Sequence, residues 1–572
     1  MLDGLLHGFG VAFDPINLLY VFVGVVIGTA IGVLPGLGPT ATIALLLPLT
    51  YALDPATAII MLAGIYYGSM YGGTITSVLL RMPGEAASVV TTFDGYQMAK
   101  QGRAGPALGI AAIGSFIGGI VSVIGLAIFA PILANWALAF GPVAMVALMV
   151  LGLLLVTSLG TGSTWKALVM AAVGLLLASV GQDQISGMPR FNFGSASLLD
   201  GFDFVAIAMG LFGVGEILHN LEQGGHLHAV AKKVTKILPT REDAKQSAAP
   251  IARGSILGFF IGILPGGGGV LSSLASYALE KRVAKDPSRF GKGAIEGVAG
   301  PETANNASST SAFVPLLVLG IPSNVVLALI FGALLVQGIT PGPSLIPQHP
   351  DIFWGVVVSM LIGNAMLLIL NMPMVGVFVQ MLRVPMGILV TFAVAIVLIG
   401  TFSIANDPFD IWIVLAFGVL GWLMKRTGFD PGPLVLAFVL GPILEASVRQ
   451  SLLISGGDPT IFVSDPIALT IYSAIALGIV AVVVRKVVKG RARPALFDQA
   501  RHIPPATGLL TIGRAKRAKA EGQAETTDAS TAERAEPASS VDAAAQPAAA
   551  EQPTSNSAEP TEEEREADAR RR

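Results

Sequence analysis

Apolar residues in this chain neither alternate nor keep to one helix face. They come in unbroken runs that, as helices, are long enough to cross the ~30 Å hydrocarbon of a bilayer. The runs cover residues 58–80, 106–134, 142–159, 166–183, 203–222, 297–320, 351–375, 385–403, 408–424, 432–448 and 466–485. Two more apolar stretches, 17–53 and 254–280, are broken by Pro-Gly clusters. The pattern predicts an all-α polytopic membrane protein with about 11 to 12 transmembrane helices, the two broken stretches forming re-entrant hairpins. If residues 17–34 cross fully, the count changes by one.

Composition sharpens this picture. Of the 572 residues 53% are hydrophobic and 13% charged, where soluble proteins carry roughly a quarter charged. Mean hydropathy is +0.72. The charge is unevenly placed, because residues 490–572 hold 14 of the 37 acidic and 12 of the 35 basic residues. A body this poor in charge excludes a soluble enzyme and a nucleic-acid-binding protein, and its surroundings are membrane lipid. The tail is rich in Ala, Glu, Pro, Ser and Thr, a composition that predicts disorder. The absence of Cys removes disulfides, thiolate nucleophiles and Cys metal sites. Residues 1–15 contain no Lys or Arg, so no cleavable signal peptide is expected.

Basic residues orient the spans. Lys232, Lys233, Lys236, Arg241, Lys245 and Arg253 crowd the 223–253 loop, and Arg485, Lys486, Lys489, Arg491 and Arg493 follow the last span. Both segments are expected in the cytoplasm, with the N-terminus and the Lys- and Arg-free 321–350 connection outside. The expected domains are a first transmembrane repeat over 1–222, a basic cytoplasmic linker over 223–253, a second repeat over 254–489 and a cytoplasmic tail over 490–572.

The repeat is visible at the Pro-Gly clusters. Gly24, Gly28, Gly32, Leu34, Pro35, Gly36 and Gly38 recur as Gly254, Gly258, Gly262, Leu264, Pro265, Gly266 and Gly268, each 230 residues later. Further on, Arg81-Met82-Pro83-Gly84 is echoed by Gly320-Ile321-Pro322-Ser323. In the second copy, arms over 254–264 and 270–280 would each reach ~16 Å as a helix, too short to cross. That copy is flanked by basic residues on both sides and the first by none. The two are therefore expected to enter from opposite faces, an inverted-topology repeat.

The tips carry the candidate chemistry. N–H groups that open the returning helices can hold a carboxylate without a buried cation, while carbonyls that end the entering arms can hold a small cation such as Na⁺. This nominates Gly36, Gly38 and Thr40 at the first tip and Gly266, Gly267 and Gly268 at the second for substrate, with Pro35 and Pro265 for the cation. The polar run 66–77 adds Gly73 and Thr74, and the run 301–311 adds Asn305, Asn306 and Ser309 as amide and hydroxyl partners. Glu302 reads either as an intramembrane proton or cation site or as a helix cap near the cytoplasmic surface. Arg81 stands at a span end and could assist. His226 and His228 lie in a basic loop without acidic company and read as solvated. The Gly-rich tips lack the Gly-Lys-Ser/Thr ending of a P-loop, and no cofactor is expected beyond a coupling Na⁺ or H⁺.

The strings Gly28 to Pro39, Tyr71-Gly72-Gly73, Pro83-Gly84 and Asp94-Gly95-Tyr96-Gln97-Met98-Ala99-Lys100-Gln101-Gly102 resemble the large membrane subunit of tripartite tricarboxylate transporters. So do Leu264-Pro265-Gly266, Pro301-Glu302-Thr303-Ala304-Asn305-Asn306-Ala307 and Leu319-Gly320-Ile321-Pro322. The resemblance covers about residues 1–485. It implies a permease in the bacterial cytoplasmic membrane that works with a small four-helix membrane subunit and an extracytoplasmic solute-binding protein. It implies import of citrate or related carboxylates, driven by Na⁺ or H⁺. Ser323, where the family pattern has Gly, and the hydroxyl-rich Ser308 to Ser311 depart from it and bear on substrate choice. The rival classes are a stand-alone organic-anion permease and an ion channel. An integral membrane enzyme would need a cluster of His, Asp or Glu in the spans, which is missing.

Overall fold

The computed structural model describes residues 2–488 except 35–37, 139, 160–162, 184, 223–235, 265, 267, 382–385 and 406. These residues fall within one unit, Met1–Thr507. His226, His228 and the 490–572 tail lie outside the described residues.

Helices are opened by sequence signals that need no tertiary help. Asp14-Pro15, Asp54-Pro55 and Asp407-Pro408 each place an acidic cap before a proline. The carboxylate accepts an N–H two residues on (Ile16, Ala56 and Phe409). The proline needs no N–H partner in the first turn. Among the described residues, seven helices are long and apolar enough to cross a membrane: Pro15–Val33, Pro55–Leu80, Ala104–Ala137, Phe204–Glu222, Pro350–Asn371, Pro408–Thr427 and Gly432–Ile454. Shorter apolar helices such as Gly38–Thr50, Thr164–Ala178 and Val325–Val336 complete an all-α polytopic membrane protein.

Three expectations change in detail. The 166–183 run is helical only to Ala178, and a two-stranded ribbon, Gly181–Gln182 with Pro189–Arg190, follows. The 297–320 run is two helices, Glu296–Ser311 and Phe313–Leu319. The arms entering the tips are longer than expected. Pro15–Val33 has 19 residues and Arg241–Ile263 has 23, or ~28 Å and ~34 Å. Arg241 to Arg253 are helical because Thr240 and Asp243 form a capping box, each accepting the other's backbone N–H. By length and composition Pro15–Val33 fits the crossing alternative, and in the second copy the arm expected over 254–264 is the end of a 23-residue helix, so a short entering arm no longer argues for re-entrance there. The returning arms, Gly38–Thr50 and Gly268–Val283, have 13 and 16 residues.

The two copies of the duplication pack in the same way. Pro15–Val33 lies along Pro55–Leu80, and Arg241–Ile263 along Glu296–Ser311. A methyl built on Gly24, Gly28 or Gly32 would come within 2.6 Å of the carbonyl oxygen of Met61, Ile65 or Ser69. One built on Gly254, Gly258 or Gly262 would do so at Gly300, Ala304 or Ser308. The glycines thus let two backbones touch along a seam. The receiving residues match at an offset of 239, so the duplication continues past the tips with a nine-residue insertion between its parts.

Candidate substrate and cation site at the broken helices

Each copy ends its packed helix in the same break. Pro55–Leu80 stops at Arg81, which is left-handed with φ 59°, and Phe313–Leu319 stops at Gly320 with φ 67°. Arg81 and Gly320 are 239 apart, as are Pro83 and Pro322, then Glu85 and Asn324. The last pair plays the same local part. Glu85 caps the turn Ala86–Val89 by accepting the Ala87 N–H at 2.8 Å. Asn324 caps Val325–Val336 by accepting the Leu327 N–H at 3.0 Å.

Both caps also reach across to the other copy. Asn305 Nδ2 donates to Glu85 Oε1 at 3.2 Å, and Asn324 Nδ2 donates to the Tyr66 hydroxyl at 3.0 Å. Tyr66 and Asn305 are again 239 apart. One contact is therefore the other with the copies exchanged.

The second tip closes on this arrangement. The Gly266 N–H donates to the Ser323 carbonyl at 2.8 Å. Gly269, in the first turn of Gly268–Val283, has no room for a side chain because Asn305 Oδ1 and the Ala87 methyl stand there. That Asn305 oxygen is buried and finds no hydrogen-bond donor among the described residues. Gly38 and Gly268 open the two returning helices with φ 57° and 44°, a conformation that excludes most side chains.

Glu302 lies next to the tip contacts. It is 1% exposed and sits inside the Glu296–Ser311 helix, so the helix-cap alternative gives way to burial. Thr74 Oγ1 donates to it at 2.8 Å and Thr91 Oγ1 donates to its other oxygen. Among the described residues neither Glu302 nor Glu85 has an ion-pair partner. A buried carboxylate such as Glu302 without a cation is costly unless a proton or a bound ion neutralises it; Glu85 is half-buried.

The structure brings Gly266, Gly268, Asn305, Thr74 and Glu302 into this region. Gly73 belongs too, since the Glu85 backbone and Cγ occupy the space of its missing side chain. Asn306 points elsewhere: its Nδ2 donates to Ser115 Oγ at 2.6 Å on the Ala104–Ala137 helix and to the Glu302 carbonyl at 3.1 Å. Ser309 Oγ bonds the Asn306 carbonyl within its own helix. Thr40 is half-buried in the first turn of Gly38–Thr50. Arg81 serves as a helix C-cap. Pro35, Gly36, Pro265 and Gly267 lie outside the described residues. Glu85, Tyr66, Thr91 and Asn324 were not nominated from the sequence. The repeated Arg81-to-Gly84 string would have reached Glu85 and Asn324 one residue further on.

Two clasps hold the arms of the second copy at the ends away from the tip. Arg253 Nε donates to Glu280 Oε1 at 2.8 Å, tying the entering helix to the returning one. Buried Asp94 accepts the N–H groups of Gly291, Gly293 and Ala294 at 2.7–2.8 Å and the Tyr277 hydroxyl at 2.8 Å. The loop between Gly268–Val283 and Glu296–Ser311 is thereby fixed to the helix that carries Thr91.

Comparison with known proteins gives this geometry its context. Residues 18–436 match the model of the tripartite tricarboxylate transporter TctA family. Two relatives come from Agrobacterium vitis. The "uncharacterized 52.8 kDa protein in TAR-I ttuC′ 3′region" is 51% identical over 484 residues, 85% of this chain and 96% of its own length. The "uncharacterized protein in TAR-II ttuC′ 3′region" is 51% identical over 226 residues, 40% of this chain and 92% of its own. No solved structure matches.

Proposed function

The chain belongs to the tripartite tricarboxylate transporter TctA family, and on that footing we propose that it is the large membrane subunit of an ion-gradient-driven importer of tricarboxylates or related organic anions. Its working partners are an extracytoplasmic solute-binding protein and a small four-helix membrane subunit, in a bacterial cytoplasmic membrane with the C-terminal tail inside. The observation that carries the reading is the exchanged pair of contacts, Asn305 with Glu85 and Asn324 with Tyr66, gathered at the second tip.

The chemistry follows from charge. The opening N–H groups of Gly268–Val283, a 16-residue helix, attract a substrate carboxylate. Glu85 and Glu302 repel it while they are charged. A proton on either, or Na⁺ held by Glu85 and the free Asn305 oxygen, removes that repulsion. Substrate and cation then bind better together than apart, which is the requirement for symport. Inverted insertion of the two copies, supported by the basic residues around only the second, lets alternate closure expose this place to each side in turn.

The deciding experiment is uptake of labelled citrate into proteoliposomes, with and without a Na⁺ or H⁺ gradient and with and without the binding protein. Gradient-dependent accumulation that needs the binding protein is expected. Equal accumulation in every condition overturns gradient coupling, and full uptake without the binding protein indicates a stand-alone permease.

A further inference from the structure

Away from the broken helices, a cavity of about 540 Å³ opens beside the two-stranded ribbon. Its size is that of a small-molecule site. It is built by both copies, with the ribbon and residues 199–204 on one side and the Val325–Val336 and Gly432–Ile454 helices on the other. None of Tyr66, Glu85, Glu302 or Asn305 lines it.

Four charged side chains form one network at its wall. Arg190 grips Glu445 with two parallel bonds, Nη1 to Oε1 at 2.7 Å and Nη2 to Oε2 at 3.2 Å. Arg449 grips Asp183 in the same fashion, at 3.0 and 2.8 Å, and also touches Glu445 Oε1 at 2.7 Å. The two acids differ in how firmly they are held. Asp183 is nearly fully buried and also accepts the N–H groups of Ile185 and Ser186. Arg449 above all holds its carboxyl well below the usual range. Glu445 is a third exposed and, among the described residues, is held by the two guanidinium groups alone. Arg190 Nε–H is buried without an acceptor among the described residues. Asp183 thus stands as the buried base of both arginines, and Glu445 is the more exposed of the two acids that hold them.

The remaining walls are chiefly apolar, with Phe202, Phe204, Leu335 and Phe438 among them, and Asp200 stands among the lining residues as a further negative charge. We propose that this cavity is a second ligand site, which takes one carboxylate of a small organic acid with an apolar body, seated on Arg190 and Arg449 in place of Glu445. The exchange of carboxylate for carboxylate keeps both guanidinium groups paired. Asp200 disfavours a second or third carboxylate, so the site selects against the polyanions proposed for the broken helices. Glu445 competes from within the chain, already paired with both guanidinium groups, and this makes the resting site weak.

The test is equilibrium dialysis of ¹⁴C-hexanoate against the purified full chain in lipid nanodiscs, with empty discs subtracted. Glu445→Ala is expected to tighten binding by about tenfold or more, since it removes that internal competitor. Adding Arg190→Gln in the same background should abolish the gain, and citrate should displace hexanoate poorly. The proposal is overturned if Glu445→Ala binds hexanoate no better than the wild type, if Arg190→Gln leaves the gain intact, or if citrate competes as well as hexanoate. The assay uses no ion gradient, so its result is independent of the transport measurement.

Discussion

Asn305 and Glu85 meet at 3.2 Å across the two copies of the duplication. A hydrogen bond to a charged group contributes about 1.5–3 kcal/mol. If the pair acts as a unit, losing either partner loses the same interaction. Asn305→Ala and Glu85→Ala should each reduce citrate uptake by about tenfold or more, with normal amounts in the membrane, at ~1.4 kcal/mol per factor of ten. The double variant should be little worse than either alone. Full additivity in the uptake assay would show that the two residues act separately.

Asn306 is expected to behave differently, although the sequence alone placed it beside Asn305. Its amide bonds Ser115 on another helix. Asn306→Ala should therefore lower the melting temperature in detergent, equivalent to about 1–3 kcal/mol for an unmade buried bond. Among correctly folded molecules it should leave the Michaelis constant for citrate unchanged. A raised Michaelis constant without a thermal shift would return Asn306 to the substrate site.

The glycine seams predict matched damage. At Gly28 and at Gly258 the neighbour is backbone, which cannot swing aside. Gly28→Ala and Gly258→Ala should each destabilise by about 1–3 kcal/mol or more, the range for overpacking. Gly10, whose surroundings are open, serves as the control, and Gly10→Ala should leave the melting temperature unchanged. Thermal unfolding followed by size-exclusion chromatography reads all three.

Asp94 anchors three backbone N–H groups and one hydroxyl. Asp94→Ala leaves the buried Ala294 N–H and Tyr277 hydroxyl unpaired, at about 1–3 kcal/mol each before relaxation, and frees the half-buried N–H groups of Gly291 and Gly293. Asp94→Asn retains one acceptor oxygen and should fall between. Hydrogen exchange at residues 289–297 is the direct measurement. Protection retained in Asp94→Ala would mean that the loop is held by something else.

Stability against acid should report on the cavity network. Because Asp183 titrates below its ordinary value, its contribution is complete above about pH 4. It is lost as the pH falls from there through the folded-state value. The melting temperature of Asp183→Asn should therefore show a smaller acid loss than the wild type below pH 4, after both are referred to their values at pH 7. Parallel curves would show that the Arg449 contact adds no pH-dependent stability.

The fold was legible where one physical requirement dominated. Apolar runs marked the spans because lipid demands them, and Asp-Pro pairs marked helix starts because cap and proline act within two residues. The starts of the returning helices were legible because Gly38 and Gly268 take a left-handed backbone that favours Gly. The partners of the tips were less so. Glu85 and Thr91 look like ordinary loop and helix-start residues, and only tertiary packing places them against residues more than 200 positions away. Arm length was misjudged at Arg241, where a capping box carries the helix through a charged segment that looks like a loop. Asn306 shows the same limit, since adjacent helix positions point about 100° apart and adjacency in sequence does not mean a shared site.

The exchanged contacts set a condition on how such a site can be encoded. Each uses one residue from either copy, at equivalent positions. A dimer of one unfused half would carry the same two residue types at both places, because one gene would specify both. In the fused chain the two are free to differ, and they do: one is an amide on a carboxylate, the other an amide on a phenol. Fusion is what permits an ionisable partner at one contact and a phenol at the other, an asymmetry that identical halves could not possess.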